Sequence, residues 1–207
     1  GVNQTCYSNS VTVTAINDAP TAASQLVSTN EDAATTITLG GSDDGDRLTY
    51  ALASNPSHGS ALLSGSTVTY TPAANYTGSD SFTFTVSDST TTSSAATISI
   101  TVTAVNDAPT AAAQSVSTNE DVVRTITLGG SDPDGDRLTY ALASNPSHGR
   151  ASLSGSTVTY TPTANYTGSD SFTFTVSDGM ATSSAATISI TVNSGNDDIV
   201  VDSTLIN

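Results

Sequence analysis

Between residues 35 and 103, apolar side chains alternate with Ser and Thr: Ile37 and Leu39; Leu48, Tyr50 and Leu52; Val68 and Tyr70; Phe82, Phe84 and Val86; Ile98, Ile100 and Val102. A spacing of two places successive side chains on opposite faces of an extended chain, so each run predicts a strand with one buried and one wet face. No segment carries a helical period. Clusters rich in Gly, Pro and Asn, such as SNPSHG and TPAANYTG, separate the runs at the spacing of an antiparallel sandwich. The pattern predicts seven strands, A to G.

The same pattern then recurs. GSDDGDRLTYALASNPSHG at 41–59 returns as GSDPDGDRLTYALASNPSHG at 130–149, and NDAP begins at both Asn17 and Asn106. A unit copied in tandem extends a string of modules, and each copy, of roughly 90 residues, is large enough to close its own core. The expected organisation is a repeat over 17–105, a second over 106–195, an orphan strand and linker over 1–16, and the start of a further linker and strand over 196–207. The fold class is all-β: two tandem seven-strand Greek-key sandwiches in a linear array, with an orphan strand at each end. Differences between the copies test the strand phase, since substitution is freer on a wet face than in a packed core. Leu62 becomes Ser152 while Leu63 stays Leu153, which turns position 62 outward; Ser60 to Arg150 and Thr90 to Met180 fall in loops or at strand ends.

Four Arg, no Lys and 19 acidic residues give a formal charge of −15. Such a chain repels nucleic acid and anionic lipid and attracts cations, so neither a nucleic acid partner nor membrane insertion is expected. Cys6 is the single cysteine, which rules out an intrachain disulfide and leaves bound metal as the substitute staple for a small extracellular module. No signal peptide and no apolar run of about 18 residues is present.

With an odd number of up-and-down strands, the acidic residues sort by pole. Glu31, Asp32 and Asp80 fall at the base of the first repeat, Asp132, Asp134, Asp136 and Asp178 at the crown of the second, and Asn106 and Asp107 in the connector. Asp18, Asp43, Asp44, Asp46 and Asp88 form the corresponding crown of the first repeat; Glu120, Asp121 and Asp170, with Asn196 and Asp197, form the base of the second. Carboxylates gathered this closely repel unless a counter-charge enters, and Ca²⁺, with six to eight oxygen ligands in irregular loops, suits them better than Mg²⁺. An EF-hand is excluded, because Arg137 stands where that loop requires Gly and Ala143 where it requires Glu.

VNDAP at 105–109, TNED at 118–121, GSDPDGDRLTY at 130–140, NYTGSDSFTFTVSDG at 165–179 and ATISITV at 186–192 together resemble the bacterial cadherin-like and immunoglobulin-like tandem repeats of large surface adhesins and RTX-type secreted proteins. The resemblance spans nearly all of residues 15–193. It implies a seven-strand Greek-key sandwich, calcium near module junctions, and a role in adhesion or as a spacer on a secreted, extracellular bacterial surface protein. It implies no ligand.

Residues 8–16, SNSVTVTAI, match the last strand and linker of a full copy, ATISITVTAV at 96–105. Either the chain is a window on a longer array, or these end strands pair with identical subunits by strand addition. In the second case Cys6 could form an intermolecular disulfide; otherwise it is a free or buried thiol. Enzymatic readings are weak: Ser57 and His58 are neighbours that point apart on an extended chain, and the chain has no Trp to line a sugar-cleaving cleft. Tyr76 and Tyr166, in NYTG, match the tyrosine that pins a sandwich corner through its hydroxyl. Two function classes follow: a calcium-stiffened stalk or filament body giving reach and adhesion, or a recognition module for a surface glycan or protein.

Overall fold

The structure, a computed structural model, describes residues 16–45 and 47–195. It divides into two compact units that meet in sequence between Val105 and Asn106, and among the described residues there is no helix. Cys6 and the two end segments lie outside the described residues, so the strand-addition and thiol expectations rest on sequence alone.

In the first unit the strands are β1 (Thr21–Ala23), β2 (Gln25–Asn30), β3 (Thr35–Thr38), β4 (Gly40–Ser42), β5 (Thr49–Ser54), β6 (Gly59–Ser64), β7 (Thr67–Pro72), β8 (Gly78–Ser87) and β9 (Ala96–Thr103). A four-stranded sheet in the order β2-β9-β8-β5 faces a three-stranded sheet in the order β3-β7-β6, and β1 pairs with β4 as a short ribbon. The predicted strands A and B thus each split in two. At the first break the Ser24 hydroxyl accepts from the Thr97 amide at 3.1 Å, and at the second the Leu39 amide donates to the Ser66 carbonyl at 2.8 Å. Gln25 bridges the two by donating to the Thr38 carbonyl at 2.9 Å. After its break the first strand changes sheets and lies parallel to β9 over six residues, from Gln25 opposite Ile98 to Asn30 opposite Thr103. The expectation of a purely antiparallel sandwich is corrected at this pair.

The second unit repeats the plan with β10 (Thr110–Ala112), β11 (Gln114–Asn119), β12 (Arg124–Thr127), β13 (Gly129–Ser131), β14 (Thr139–Ser144), β15 (Gly149–Ser154), β16 (Thr157–Pro162), β17 (Gly168–Ser177) and β18 (Ala186–Asn193). Its sheets run β11-β18-β17-β14 and β12-β16-β15, and β11 is parallel to β18.

Each core consists of the residues that the alternation turned inward. Val68, Tyr70, Phe82, Phe84, Val86 and Ile98 are fully buried, as are Val158, Tyr160, Phe172, Phe174, Val176 and Ile188; burial of each such side chain stabilises by roughly 1.5–3 kcal/mol. Leu62 is 73% exposed while Leu63 packs against the core, as the copy-to-copy difference implied. At the start of β6 and β15 the sheet comes too close for a side chain: a Cβ on Gly59 would lie 2.5 Å from the Thr71 carbonyl oxygen, and one on Gly149 2.7 Å from that of Thr161.

Candidate metal centre

The loop from Asp132 to Arg137, between β13 and β14, curls its carboxylates toward one point. Gly135 takes φ +79°, a left-handed value that favours glycine, and its amide donates to the Asp132 carbonyl at 3.3 Å. Asp132 Oδ1 accepts from the Asp134 amide at 2.9 Å and the Asp136 amide at 3.2 Å, while its Oδ2 is buried with no partner among the described residues. Oxygens of Asp132, Asp134 and Asp136 all lie within 4.8 Å of one another. The connector is tied to the same loop, since the Asp107 amide donates to Asp134 Oδ2 at 2.8 Å and Asn106 Nδ2 donates to Asp178 Oδ2 at 3.0 Å. Three converging carboxylates and a buried oxygen without a donor fit a hard divalent cation, which the protein's own N–H groups do not replace.

The first unit carries the shorter version. Both carboxylate oxygens of Asp43 are buried without a partner among the described residues, Asp44 is exposed and Asp46 lies outside the described residues. Asn17 Nδ2 donates to Asp88 Oδ2 at 2.9 Å and to the carbonyl of Asp18 at 3.0 Å, repeating the Asn106 arrangement. Asp88 also receives the amides and hydroxyls of Thr90 and Thr91 at 2.7–2.8 Å. The Thr91 amide, then the Asn17 side chain, hold its carboxyl well below the usual carboxylate range. Asp178 is lowered in the same way, first by the Ala181 amide and then by Asn106. Asp88 and Asp178 thus anchor a turn to the incoming linker, and their oxygens are already shared among several donors.

At the bases, Glu31 Oε1 accepts from the Val105 amide at 2.7 Å and its Oε2 is buried without a partner among the described residues. Glu120 Oε1 accepts from the Gly195 amide at 2.7 Å, and Asn196 and Asp197 lie outside the described residues. Asp32 and Asp121 sit at left-handed φ values of 55° and 61° and accept from the Asn75 and Asn165 amides at 3.1 and 3.2 Å.

Asp80 and Asp170, expected among the base ligands, have a different task. Asp80 is 7% exposed at an inward-facing position of β8. Its oxygens receive the Ser57 amide (2.9 Å), the His58 amide (3.1 Å), the Ser81 amide (2.8 Å) and the Tyr70 hydroxyl (2.8 Å). Asp170 repeats the set with Ser147, His148, Ser171 and Tyr160. These acids are hubs that stitch the turn after β5, or β14, to the sandwich. The corner reading of Tyr76 also changes: its hydroxyl donates locally to the Ser79 carbonyl at 2.7 Å and its ring stacks on His58 at 4.2 Å, whereas Tyr70 reaches the buried acid.

Burial alone would push the Asp80 carboxyl up, but the Ser57 amide, the Tyr70 hydroxyl and the Ser81 and His58 amides outweigh it and hold it below the usual carboxylate range. Burial, followed by the hydrogen bond to Asp80 and then the Asp80 charge, raises Tyr70. A carboxyl depressed in the folded state contributes stability above its unfolded pKa, about 3.9, and loses it as pH falls through the folded value. Thermal melts are therefore expected to hold level from pH 7 to about 5 and drop below about 4. Asp80→Asn, already destabilised at pH 7, is expected to show a shallower acid limb; a limb as steep as that of the parent chain would detach Asp80 from the effect.

With this geometry in hand, the sequence profile described as the bacterial Ig domain matches residues 17–101 and 106–191. The chain belongs to the bacterial Ig domain family. Both Ig domains carry the carboxylate loop between their fourth and fifth strands. No curated protein matches the chain. Among solved structures it is similar to an endo-fucoidan hydrolase of glycoside hydrolase family 107, with 25% identity over 86% of this chain and a TM-score of 0.36; the chain spans 29% of that hydrolase's length. Human mucin-like protocadherin EC1-2 shows 16% identity over 85% of this chain and 98% of its own, with a TM-score of 0.49. Protocadherin gammaB7 EC3-6 gives 16% identity over 84% of this chain and 52% of its own, also at 0.49. Among the described residues no helix is long and apolar enough to cross a membrane.

Proposed function

We propose that the two Ig domains are calcium-stiffened structural repeats of a bacterial extracellular adhesin stalk or surface filament, serving reach and cell-surface or cell-cell adhesion rather than catalysis. The observation that carries this reading is the Asp132–Asp136 loop, whose oxygens converge while Asp132 Oδ2 stays buried and unbonded. Asp107, Asp132, Asp134 and Asp136 would hold the ion in the second domain, and Asp18, Asp43, Asp44 and Asp46 in the first. When bound, calcium would supply the positive charge that offsets the mutual repulsion of these carboxylates. The chain's own N–H groups orient the side chains, and the Asn17 and Asn106 amides fix where each linker enters.

Sites of this extracellular kind bind at about 10⁻⁴–10⁻³ M, so with a Kd near 1 mM, about 10 mM calcium is expected to stabilise by about 1.4 kcal/mol per site. Calorimetry of the intact chain, with and without chelator, should show that rise. Asp132→Asn should abolish the rise in the second domain and leave it in the first. Melting curves indifferent to calcium in the parent chain would sink the proposal.

A further inference from the structure

We propose that a cleft beside Arg137 and Tyr140 in the second domain, and its copy beside Arg47 and Tyr50 in the first, binds an acidic sugar unit of a polysaccharide. This site goes beyond the structural-repeat reading and does not depend on it. Where the edge strands β14 and β15 part, they leave a cleft of about 580 Å³ lined by Arg137, Tyr140, Leu138, Leu153 and Ser156. The equivalent residues Arg47, Tyr50, Leu48, Leu63 and Ser66 line one of about 500 Å³ in the first domain. Both volumes suit a small ligand or one or two sugar rings.

The polar groups here are the ones the fold leaves unused. Tyr160 and Tyr166 spend their hydroxyls on Asp170 and the Ser169 carbonyl, whereas the Tyr140 hydroxyl has no protein acceptor among the described residues. Its ring is braced by Phe174, at a centroid distance of 6.4 Å, so the hydroxyl sits on a fixed support; Tyr50 is braced by Phe84 at 6.5 Å. Arg137 and Arg47 pair with no carboxylate among the described residues, although the chain carries a charge of −15. The fold thus gives two of its four cations to the mouths of two equivalent clefts.

A guanidinium binds a carboxylate or sulfate with two parallel hydrogen bonds. The Tyr and Ser hydroxyls match sugar hydroxyls, and the two leucines offer an apolar wall to the C–H face of a ring. A densely charged polymer such as nucleic acid is repelled by the whole chain, while a polysaccharide spaces its charges between neutral hydroxyls. Two copies of one cleft suit a ligand that itself repeats, because weak contacts then add through tethering.

The test titrates the full chain by amide NMR in metal-free buffer, so that failure of the calcium reading and failure of this one stay distinguishable. The probes are tetragalacturonate, its neutral methyl ester and a kappa-carrageenan tetrasaccharide, whose only charges are sulfates on alternate rings. Expected are saturable shifts at Arg137, Leu138 and Ser156 and at their equivalents, from one or both anionic probes; which one binds tells carboxylate from sulfate. Arg47→Gln with Arg137→Gln should weaken binding at least about tenfold. Tyr50→Phe with Tyr140→Phe should weaken it about threefold or more, with an otherwise unchanged spectrum. No shifts from either anion at about 10 mM, where contacts worth even about −3 kcal/mol would register, would overturn the proposal. So would equal binding of the neutral ester, or parent-like affinity in the arginine variant.

Discussion

Asp170→Ala is expected to destabilise the second Ig domain by at least about 3 kcal/mol, because it removes the shared acceptor of four donors at once, among them the buried Tyr160 hydroxyl. The Tyr160 hydroxyl and the Ser147, His148 and Ser171 amides all meet on this carboxylate, and Tyr160 itself is fully buried. For a domain of this size that corresponds to a fall in melting temperature of at least about 12 °C. Removing only the hydroxyl, in Tyr160→Phe, should cost about 1–2 kcal/mol. In the double variant the two losses should add to less than their sum, since both act on one hydrogen-bond cluster. Calorimetry and residue-level hydrogen exchange would report it: protection should fall across β14 to β18 and persist across β5 to β9. Loss of less than about 1 kcal/mol would show that the acid is dispensable to the corner.

Gly149→Ala should cost more than any other single methyl group added to a glycine of this domain. The new Cβ would lie 2.6 and 2.8 Å from Cε2 and Cζ of Tyr160 and 2.7 Å from the Thr161 carbonyl oxygen. The ring cannot swing aside while its hydroxyl is held by Asp170, so the backbone of β15 must move away from β16, at an expected cost of about 2–3 kcal/mol. Gly155→Ala is the control. Its φ of +60° strains a side chain, but nothing lies within 4 Å, and the expected cost is about 1 kcal/mol. Chemical denaturation of the two variants should rank them in that order, and equal midpoints would mean the close approach at Gly149 is slack.

The core was legible because burial in a sandwich has the same period as the residues themselves: Phe82, Phe84 and Val86 lie inward as alternation demanded. The crown loop was also legible, since Asp132, Asp134 and Asp136 alternate around a glycine and local chain geometry suffices to converge them. Asp80 was misplaced although its signal was present. It lies two residues before Phe82 and so shares the inward phase of β8; being charged, it reads as exposed unless the donors that would satisfy it are known, and these come from the turn at Ser57 and from Tyr70 on another strand. The splitting of the first strand was hidden for a related reason. Ser24 and Leu39 break no periodicity, and what moves β2 beside β9 is pairing across more than 70 residues. The clefts at Arg47 and Arg137 likewise exist only where two sheet edges diverge.

The parallel ladder between β2 and β9 has a consequence for a chain under tension. If a domain is pulled by its two ends, β2 is dragged toward its N-terminus and β9 toward its C-terminus, in opposite directions along a shared six-residue ladder. The slanted bonds that link the two strands are then sheared together, not peeled one after another as in a hairpin opened at its tip. Each Ig domain therefore meets stretching with its hydrogen bonds in concert, and rupture should demand a force set by the whole ladder rather than by its weakest rung.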